Sequence, residues 1–190
     1  EYYRTDFLKQ TIVDIYSDSR KVSFYNLNGK SYSNNFQLEL AYQPLDRFDI
    51  SAAIRFTDVR ANYGDELLIK PLSSKYKGLL TLSYSTLESG WLFDSSFLLN
   101  GNGRIPSTQQ NPIQYQREDS FPAFLTVNAQ ITKKIEMLDI YLGVENLTNY
   151  KQDNPIIASD DPFGDYFDAS MIWGPIDGTK FYIGVRLSVL

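Results

Sequence analysis

Apolar and polar residues alternate one by one along most of this 190-residue chain. That is the period of a β-strand whose two faces meet different surroundings, and no stretch sustains the 3.6-residue period of a helix. From Lys180 to Leu190, Phe181, Ile183, Val185, Leu187 and Val189 share one face, while Tyr182, Gly184, Arg186 and Ser188 share the other. From Met137 to Leu147, Leu138, Ile140, Leu142 and Val144 oppose Asp139, Tyr141, Gly143 and Glu145. An ionised Arg or Glu needs water or a partner, so the second face should look into a wet interior and the first should meet hydrocarbon. The same split recurs upstream. Ala123, Leu125, Val127, Ala129 and Ile131 oppose Thr126, Asn128 and Gln130; Trp91, Phe93, Phe97 and Leu99 oppose Asp94, Ser96 and Asn100. Leu80, Leu82 and Tyr84 oppose Lys77, Thr81 and Ser83; Phe48, Ile50, Ala52, Ile54 and Phe56 oppose Asp49, Ser51 and Arg55; Phe36, Leu38, Leu40 and Tyr42 oppose Gln37 and Glu39. The first segment, Tyr3 to Ile15, is the least regular, because Lys9 falls among Phe7, Val13 and Ile15. The pattern predicts about eight strands of roughly 9 to 14 residues, the length a tilted membrane-spanning strand needs.

The connections alternate in length as well. Short turns are predicted at 43–47, 87–90 and 135–136, and long loops at 17–33, 61–75, 102–120 and 148–179. Outer-membrane barrels have short periplasmic turns and long extracellular loops, so the rhythm assigns each connection a side and places the C-terminus in the periplasm. The stretch 100–112 is rich in Asn, Gly, Gln and Pro, as a solvated loop should be. The longest loop combines turn residues with Tyr166, Phe167 and Trp173, and a loop of that length should fold on itself or pack against a plug, a partner or a ligand. Trp91 and Phe181 are expected as interfacial anchors at opposite membrane faces.

Composition removes much chemistry. With no His and no Cys, Ser-His-Asp and Cys-His nucleophiles and His or Cys metal centres are excluded, and no cofactor is expected. A net charge of −5 with dispersed Lys and Arg argues against a nucleic-acid partner. No run of 18 apolar residues offers a membrane-spanning helix. Aromatic residues at 15%, with a mean hydropathy of −0.31, fit strands that show lipid one side only and carry aromatic girdles. The opening Glu1 to Phe7 already reads as strand, without Met or leader, which leads us to expect a piece of something larger.

The stretch Gly143-Val144-Glu145-Asn146-Leu147-Thr148-Asn149 resembles the G-x-E-N-L-x-N signature of the penultimate strand and following loop in TonB-dependent outer-membrane receptors. Asn154-Pro155, Asp161-Pro162-Phe163-Gly164, Trp173-Gly174-Pro175 and Phe181 to Leu187 are similar to the last loop and strand of such receptors from Bacteroidetes-type bacteria. Tyr3 to Phe7, Phe24 to Leu27 and Ser31 to Asn34 resemble upstream barrel strands of the same group. The resemblance implies an all-β, transmembrane antiparallel barrel of 22 strands plugged by an N-terminal domain, of which residues 1–190 would be the C-terminal portion. It implies an active-transport receptor, not an enzyme, that takes up a scarce nutrient (iron chelate, cobalamin, glycan or peptide) with energy delivered by TonB. The partners would be outer-membrane lipid, the plug and remaining strands, the TonB complex and, for glycan importers, a surface lipoprotein. Such barrels usually end on an outward aromatic, whereas Val189 holds that register here.

Glu39, Arg55, Asp94, Glu145 and Arg186 fall on the polar face and are candidates for a lumen lining, either as a substrate path or as ordinary solvated wall. Tyr63, Arg104, Tyr115, Arg117, Tyr166 and Trp173 are the loop candidates for ligand contact, because aromatic faces suit sugars and planar chelates and Arg suits anionic chelates; loop packing is the competing role. Asp160, Asp161, Asp165 and Asp168 offer hard oxygen ligands without EF-hand spacing, so no metal site is expected and an exposed acidic loop is preferred. Two rival architectures fit the alternation. One is a self-contained eight-stranded membrane barrel, an adhesin or lipid-modifying enzyme, which requires the first strand to close onto the last. The other is a soluble carbohydrate-binding sandwich, which requires the apolar face to lie under a second sheet.

Overall fold

The structure is a computed structural model that describes residues 1–9, 11–14, 22–27, 29–63, 66–88 and 90–188. In chain order the strands are β1 (Tyr2–Asp6), β2 (Thr11–Asp14), β3 (Ser23–Asn26), β4 (Ser31–Leu45), β5 (Phe48–Tyr63), β6 (Glu66–Ile69), β7 (Tyr76–Ser85), β8 (Trp91–Asn100), β9 (Gly103–Arg104), β10 (Ser120–Phe121), β11 (Phe124–Ile135), β12 (Leu138–Glu145) and β13 (Lys180–Leu187). Eight of them form one antiparallel sheet in the order β1-β4-β5-β7-β8-β11-β12-β13, and β6 pairs with the end of β5 beyond β7. Neighbours in space are therefore neighbours along the chain, as in an up-and-down barrel wall. Among the described residues β1 and β13 do not pair with each other, so the sheet is open and the eight-stranded closed barrel is not formed.

The first strand is shorter than its pattern suggests. β1 ends at Asp6, Lys9 beyond it adopts φ +56°, and Thr11–Asp14 pairs with Ser23–Asn26 in a separate two-stranded sheet. This explains why Lys9 fits neither face, and why Phe24 to Leu27 belongs to the long-loop end and not to the wall. Ile15, Val189 and Leu190 lie outside the described residues. The short connections fall at 46–47, 86–90 and 136–137, where Arg47, Gly90 and Glu136 supply positive φ. At Gly90 glycine is required twice, by φ +60° and because a Cβ would sit 2.7 Å from the Lys134 carbonyl oxygen. Pro44, which lacks an N–H, lies where the β4–β5 register shifts between Tyr42 and Leu45.

Register carries the two faces across the sheet. Phe181, Ile183, Val185 and Leu187 stand opposite Val144, Leu142, Ile140 and Leu138; Ile131 then continues the line from Leu142 to Phe93, and Phe93 to Tyr84 and Phe48. Leu142, Ile183, Val185 and Leu187 are 55%, 76%, 62% and 64% exposed. A second sheet over this face would have hidden them, and there is none among the described residues, which removes the sandwich. Covering a Leu or Ile is worth about 1.5–3 kcal/mol, and the described residues leave that contribution unrealised along this face.

Aromatic clusters close the apolar face at both ends. Toward the long loops Phe36, Phe56 and Tyr76 lie 6.5 and 6.2 Å apart by ring centre. Toward the short turns Phe48, Tyr84, Phe93 and Trp91 are linked at 6.4 Å per step, and the Lys133 ammonium sits 5.0 Å over Trp91. From Phe48 to Phe56 is about 27 Å of strand at ~3.4 Å per residue. Tilted by ~40°, that spans about 21 Å of height, close to the ~25 Å apolar band of outer-membrane barrels.

Candidate functional site

At the long-loop end, the segments 101–123 and 146–179 fold over the sheet as one packed cap. Its start is fixed by Asn146, which has φ +50°, a conformation that Asn tolerates better than most side chains. The Asn146 amide donates to the carbonyls of Tyr150 (2.8 Å) and Asp177 (3.1 Å), and its Oδ1 accepts from the Thr148 hydroxyl and the Tyr150 N–H. Its own N–H donates to Asn128 Oδ1 on β11 at 2.9 Å, and its carbonyl accepts from Thr179 Oγ1 at 2.8 Å. One side chain thus joins the exit of β12 to the entry of β13. Asn149, at φ +52°, accepts from the Thr179 N–H at 3.2 Å and helps to close the same loop. Beside it the Lys180 ammonium donates to Asp177 at 2.6 Å and holds that carboxyl below its ordinary value.

The cap has a core of its own: Ile105, Phe121, Ile157, Ala158 and Met171 are buried, with Tyr115 and Trp173 packed against them. Trp173 stacks on Phe121 at 5.1 Å and 8°, and Phe124 stacks on Tyr150 at 4.7 Å and 4°. Through these rings the cap is continuous with the first residue of β11. Buried Gln152 organises the backbone around them. Its amide donates to the Met171 carbonyl at 2.8 Å, and its Oε1 accepts from the N–H groups of Trp173 and Gly174 at 2.8 and 3.1 Å. Ile157 and Asp168 exchange two backbone hydrogen bonds of 2.9 and 3.1 Å, so residues 158–167 form a strapped excursion above this core.

The six loop residues expected to touch ligand do not converge. Tyr115 and Tyr166 come together, ring centres 6.0 Å apart, and the Tyr115 hydroxyl donates to Asp160 at 3.4 Å. Loss of solvent around the ring, and after that the Asp160 carboxylate, raise the Tyr115 phenol above its ordinary value. Trp173 is half-buried in the cap core. Arg104 ties loops together, donating to the Ile69 carbonyl at 3.0 Å while its backbone pairs with Ser120 and bonds Leu72. Arg117 donates to the neighbouring Gln116 carbonyl at 3.0 Å. Tyr63 lies apart, against the second cluster of Ile12, Leu27 and Ala61. Of the acidic residues, Asp168 accepts from the Ser170 N–H at 2.7 Å. No three acidic groups among the described residues gather closely enough to share a metal ion.

Glu39, Arg55, Asp94, Glu145 and Arg186 all occupy the polar face of the sheet. Asp94 accepts from Ser83 Oγ at 2.6 Å, Arg186 stands opposite Asp139, Glu145 opposite Lys180, and Arg55 opposite both Gln37 and Lys77; Gln37 donates to Glu39. Gly143 and Gly184 on this face each lie beneath a tyrosine ring of the adjoining strand: a Cβ would come within 2.1 Å of Tyr182 and 2.3 Å of Tyr141. The gap at Gly143 lets Tyr182 lie flat and reach two strands across to donate to Gln130 at 2.9 Å. The first glycine of the motif is therefore a packing requirement.

No protein-family model matches the sequence, and no curated protein does. Solved structures do. The copper transporter OprC superposes with a TM-score of 0.67 at 15% identity, over 99% of this chain and 27% of that one. The ferric-catecholate import receptor Fiu of Escherichia coli K12 gives 0.65 at 14%, over 97% and 24%. The pyoverdine receptor FpvA of Pseudomonas aeruginosa gives 0.65 at 13%, over 99% and 26%. The chain therefore shares the fold of part of these structures.

The chain spans about a quarter of the length of each of these proteins. An open sheet of eight strands is consistent with a partial barrel. Within that fold, the residues that sequence reasoning missed are Gln152, Asn128 and Phe124. Asn128 reads as one more polar-face residue and Phe124 as one more aromatic. Nothing local marks Gln152, because its partners lie 19 to 22 residues further along the chain.

Proposed function

We propose that residues 1–190 form the C-terminal part of the barrel of an outer-membrane active-transport receptor. Its long loops are extracellular, its short turns and C-terminus periplasmic, and lipid covers its apolar face. The polar face, with Glu39, Arg55, Asp94, Glu145 and Arg186, lines the lumen against a plug domain. Substrate binds at the extracellular end, where Tyr115 and Tyr166 offer adjacent rings, Arg104, Arg117 and Trp173 shape the loops around them, and Tyr63 offers a separate contact. Force delivered by TonB then rearranges the plug and opens the path, and no bond chemistry is performed by the wall. The observation that carries this reading is the pairing of an uncovered apolar face with a polar face on one open antiparallel sheet.

The substrate is a scarce nutrient held as a chelate, cofactor, glycan or peptide. The solved receptors named for ferric catecholate, pyoverdine and copper make metal complexes the first probes. Cells carrying the full-length protein should take up one member of a panel of ferric catecholates, ferric pyoverdines, copper, cobalamin and oligosaccharides. Uptake should stop when TonB is deleted or the inner membrane is de-energised. Recovery of the protein outside the outer-membrane fraction, or uptake indifferent to TonB, would overturn the proposal.

A further inference from the structure

The cap carries an exposed apolar patch that its buried core does not use. Contact between Tyr115 and Tyr166 brings two loops together, with ring centres 6.0 Å apart. Two residues before Tyr115, Ile113 opens a single 3₁₀ turn and is 87% exposed. Three residues before Tyr166, Phe163 sits in the turn that the Gly164 N–H closes on the Asp161 carbonyl at 3.0 Å, and it is fully exposed. The backbone that carries these side chains is anchored, because Ile157 and Ala158 are buried in the cap core and Ile157 is bonded twice to Asp168. Large apolar side chains held out to water on a fixed support mark a docking place.

Position and charge narrow what docks there. Phe124 alternates with Leu125 and shares its face of β11 with Thr126 and Asn128, and Tyr150 stacks on it, so the cap is carried on the polar side of the wall. Segments 101–123 and 146–179 hold eight carboxylates against three cations, which puts the whole net charge of −5 in the cap. From 152 to 179 there are six Asp and neither Lys nor Arg. Asp160 accepts from the Tyr115 hydroxyl at 3.4 Å, and the Asp161 carboxylate folds over Gly164. Behind the loss of solvent around the ring, both carboxylates help to raise the Tyr115 phenol, so both stand beside the patch. Arg104 and Arg117, the residues that would recruit an anion, already donate to the Ile69 and Gln116 carbonyls.

We propose that this patch takes a basic oligopeptide as cargo, with its cationic side chains over the Tyr115 and Tyr166 rings and beside Asp160 and Asp161, and an apolar side chain against Phe163 and Ile113. The inference rests on the reading that substrate enters at the loop end, and it selects peptide from the classes named there. An anionic chelate would have to approach the region where the chain concentrates its negative charge. A neutral sugar would stack on the rings and donate to the carboxylates, but it would gain nothing from the field and leave Phe163 and Ile113 uncovered. A basic peptide meets all three features, since an ammonium or guanidinium is attracted to an aromatic face and the carboxylates draw it in over about one Debye length.

The test uses the full-length protein in a mild detergent and three fluorescent pentapeptides in which leucine alternates with lysine, serine or glutamate, followed by anisotropy. The lysine peptide should bind about tenfold tighter than the glutamate peptide at low salt, and the gap should narrow as salt is raised. Asp160→Asn with Asp161→Asn should weaken the lysine peptide about fivefold, and Tyr166→Ala about threefold. Phe163→Ser, which removes a fully exposed side chain, should weaken it as well. Asp46→Asn with Glu88→Gln, which removes the same charge at the short turns, should change nothing. Every variant should keep the heat-modifiable gel shift of a folded barrel and the exchange protection of residues 146–179. Equal affinity for the lysine and glutamate peptides, or wild-type affinity in the Asp160/Asp161 variant, overturns the proposal. So does TonB-dependent uptake of a ferric chelate by cells that leave the lysine peptide outside, a result that keeps the transport reading. Recovery of the protein outside the outer-membrane fraction would instead overturn that reading.

Discussion

The wall and the cap handle apolar residues in opposite ways. In the wall, Leu142, Ile183 and Val185 are more than half exposed and belong to no buried cluster. In the cap, Phe121 and Ile157 are 2% and 1% exposed, and the Gln152 side chain is sealed in with them. The cap is therefore built like a small water-soluble domain, stabilised by removing its own surface from water. The wall contributes backbone hydrogen bonds and leaves its side-chain burial to whatever medium surrounds it. The difference teaches that hydrophobicity alone does not identify a core; what matters is whether the protein itself supplies the cover.

Substitutions that exploit this contrast should separate the two regions. Phe121→Ala should have the largest effect, about 3–5 kcal/mol, confined to the cap: hydrogen exchange in the full-length protein should accelerate across 146–179 and leave β7, β8 and β11 unchanged. Leu142→Arg should destabilise the wall by about 2–4 kcal/mol when folding is measured into bilayers, whereas Leu142→Ala should cost much less than the same change in a packed core. Equal costs of Leu142→Ala and Phe121→Ala would erase the distinction.

Gln152→Ala strands two N–H groups and one carbonyl inside the cap and should cost about 2–3 kcal/mol. Trp173 emission should shift to the red as its stack on Phe121 loosens. The smallest effect concerns pH. The Asp177 carboxyl is depressed by the Lys180 hydrogen bond, so its contribution is complete above the ordinary carboxylate value of about 3.9 and disappears as pH falls through the depressed value. Asp177→Asn should abolish that acid-dependent step in the exchange of residues 146–150 and leave the neutral-pH rate nearly unchanged.

The wall was legible in the sequence because its rule is local. Alternation of Phe181, Ile183, Val185 and Leu187 with Tyr182, Gly184 and Arg186 can be read without knowing any partner, and the long-short rhythm of connections then orders the strands. The rule failed over the first segment, where β1 ends at Asp6, Lys9 lies in the left-handed region, and Thr11–Asp14 pairs with Ser23–Asn26 apart from the wall. The cap was legible only in part. Its aromatic content and length announced that it packs, and the Asn146 motif marked its hinge. Yet its organisation depends on contacts between segments far apart, such as Phe121 with Trp173 or Gln152 with Met171. Residue type does not distinguish a ring that meets ligand from one that meets another ring. Trp173 and Tyr166 look alike in the sequence and are placed differently, the first half-buried against the core and the second 41% exposed beside Tyr115.

The central claim is that lipid covers one side of these strands and water the other. Because this segment contains no Cys, single spin labels can be placed along β12 from Leu138 to Glu145 in the full-length protein reconstituted in bilayers. Accessibility to oxygen should peak at 138, 140, 142 and 144, and accessibility to a polar nickel chelate should peak at 139, 141, 143 and 145. A flat profile, or a Leu142 label shielded from both reagents, would contradict it.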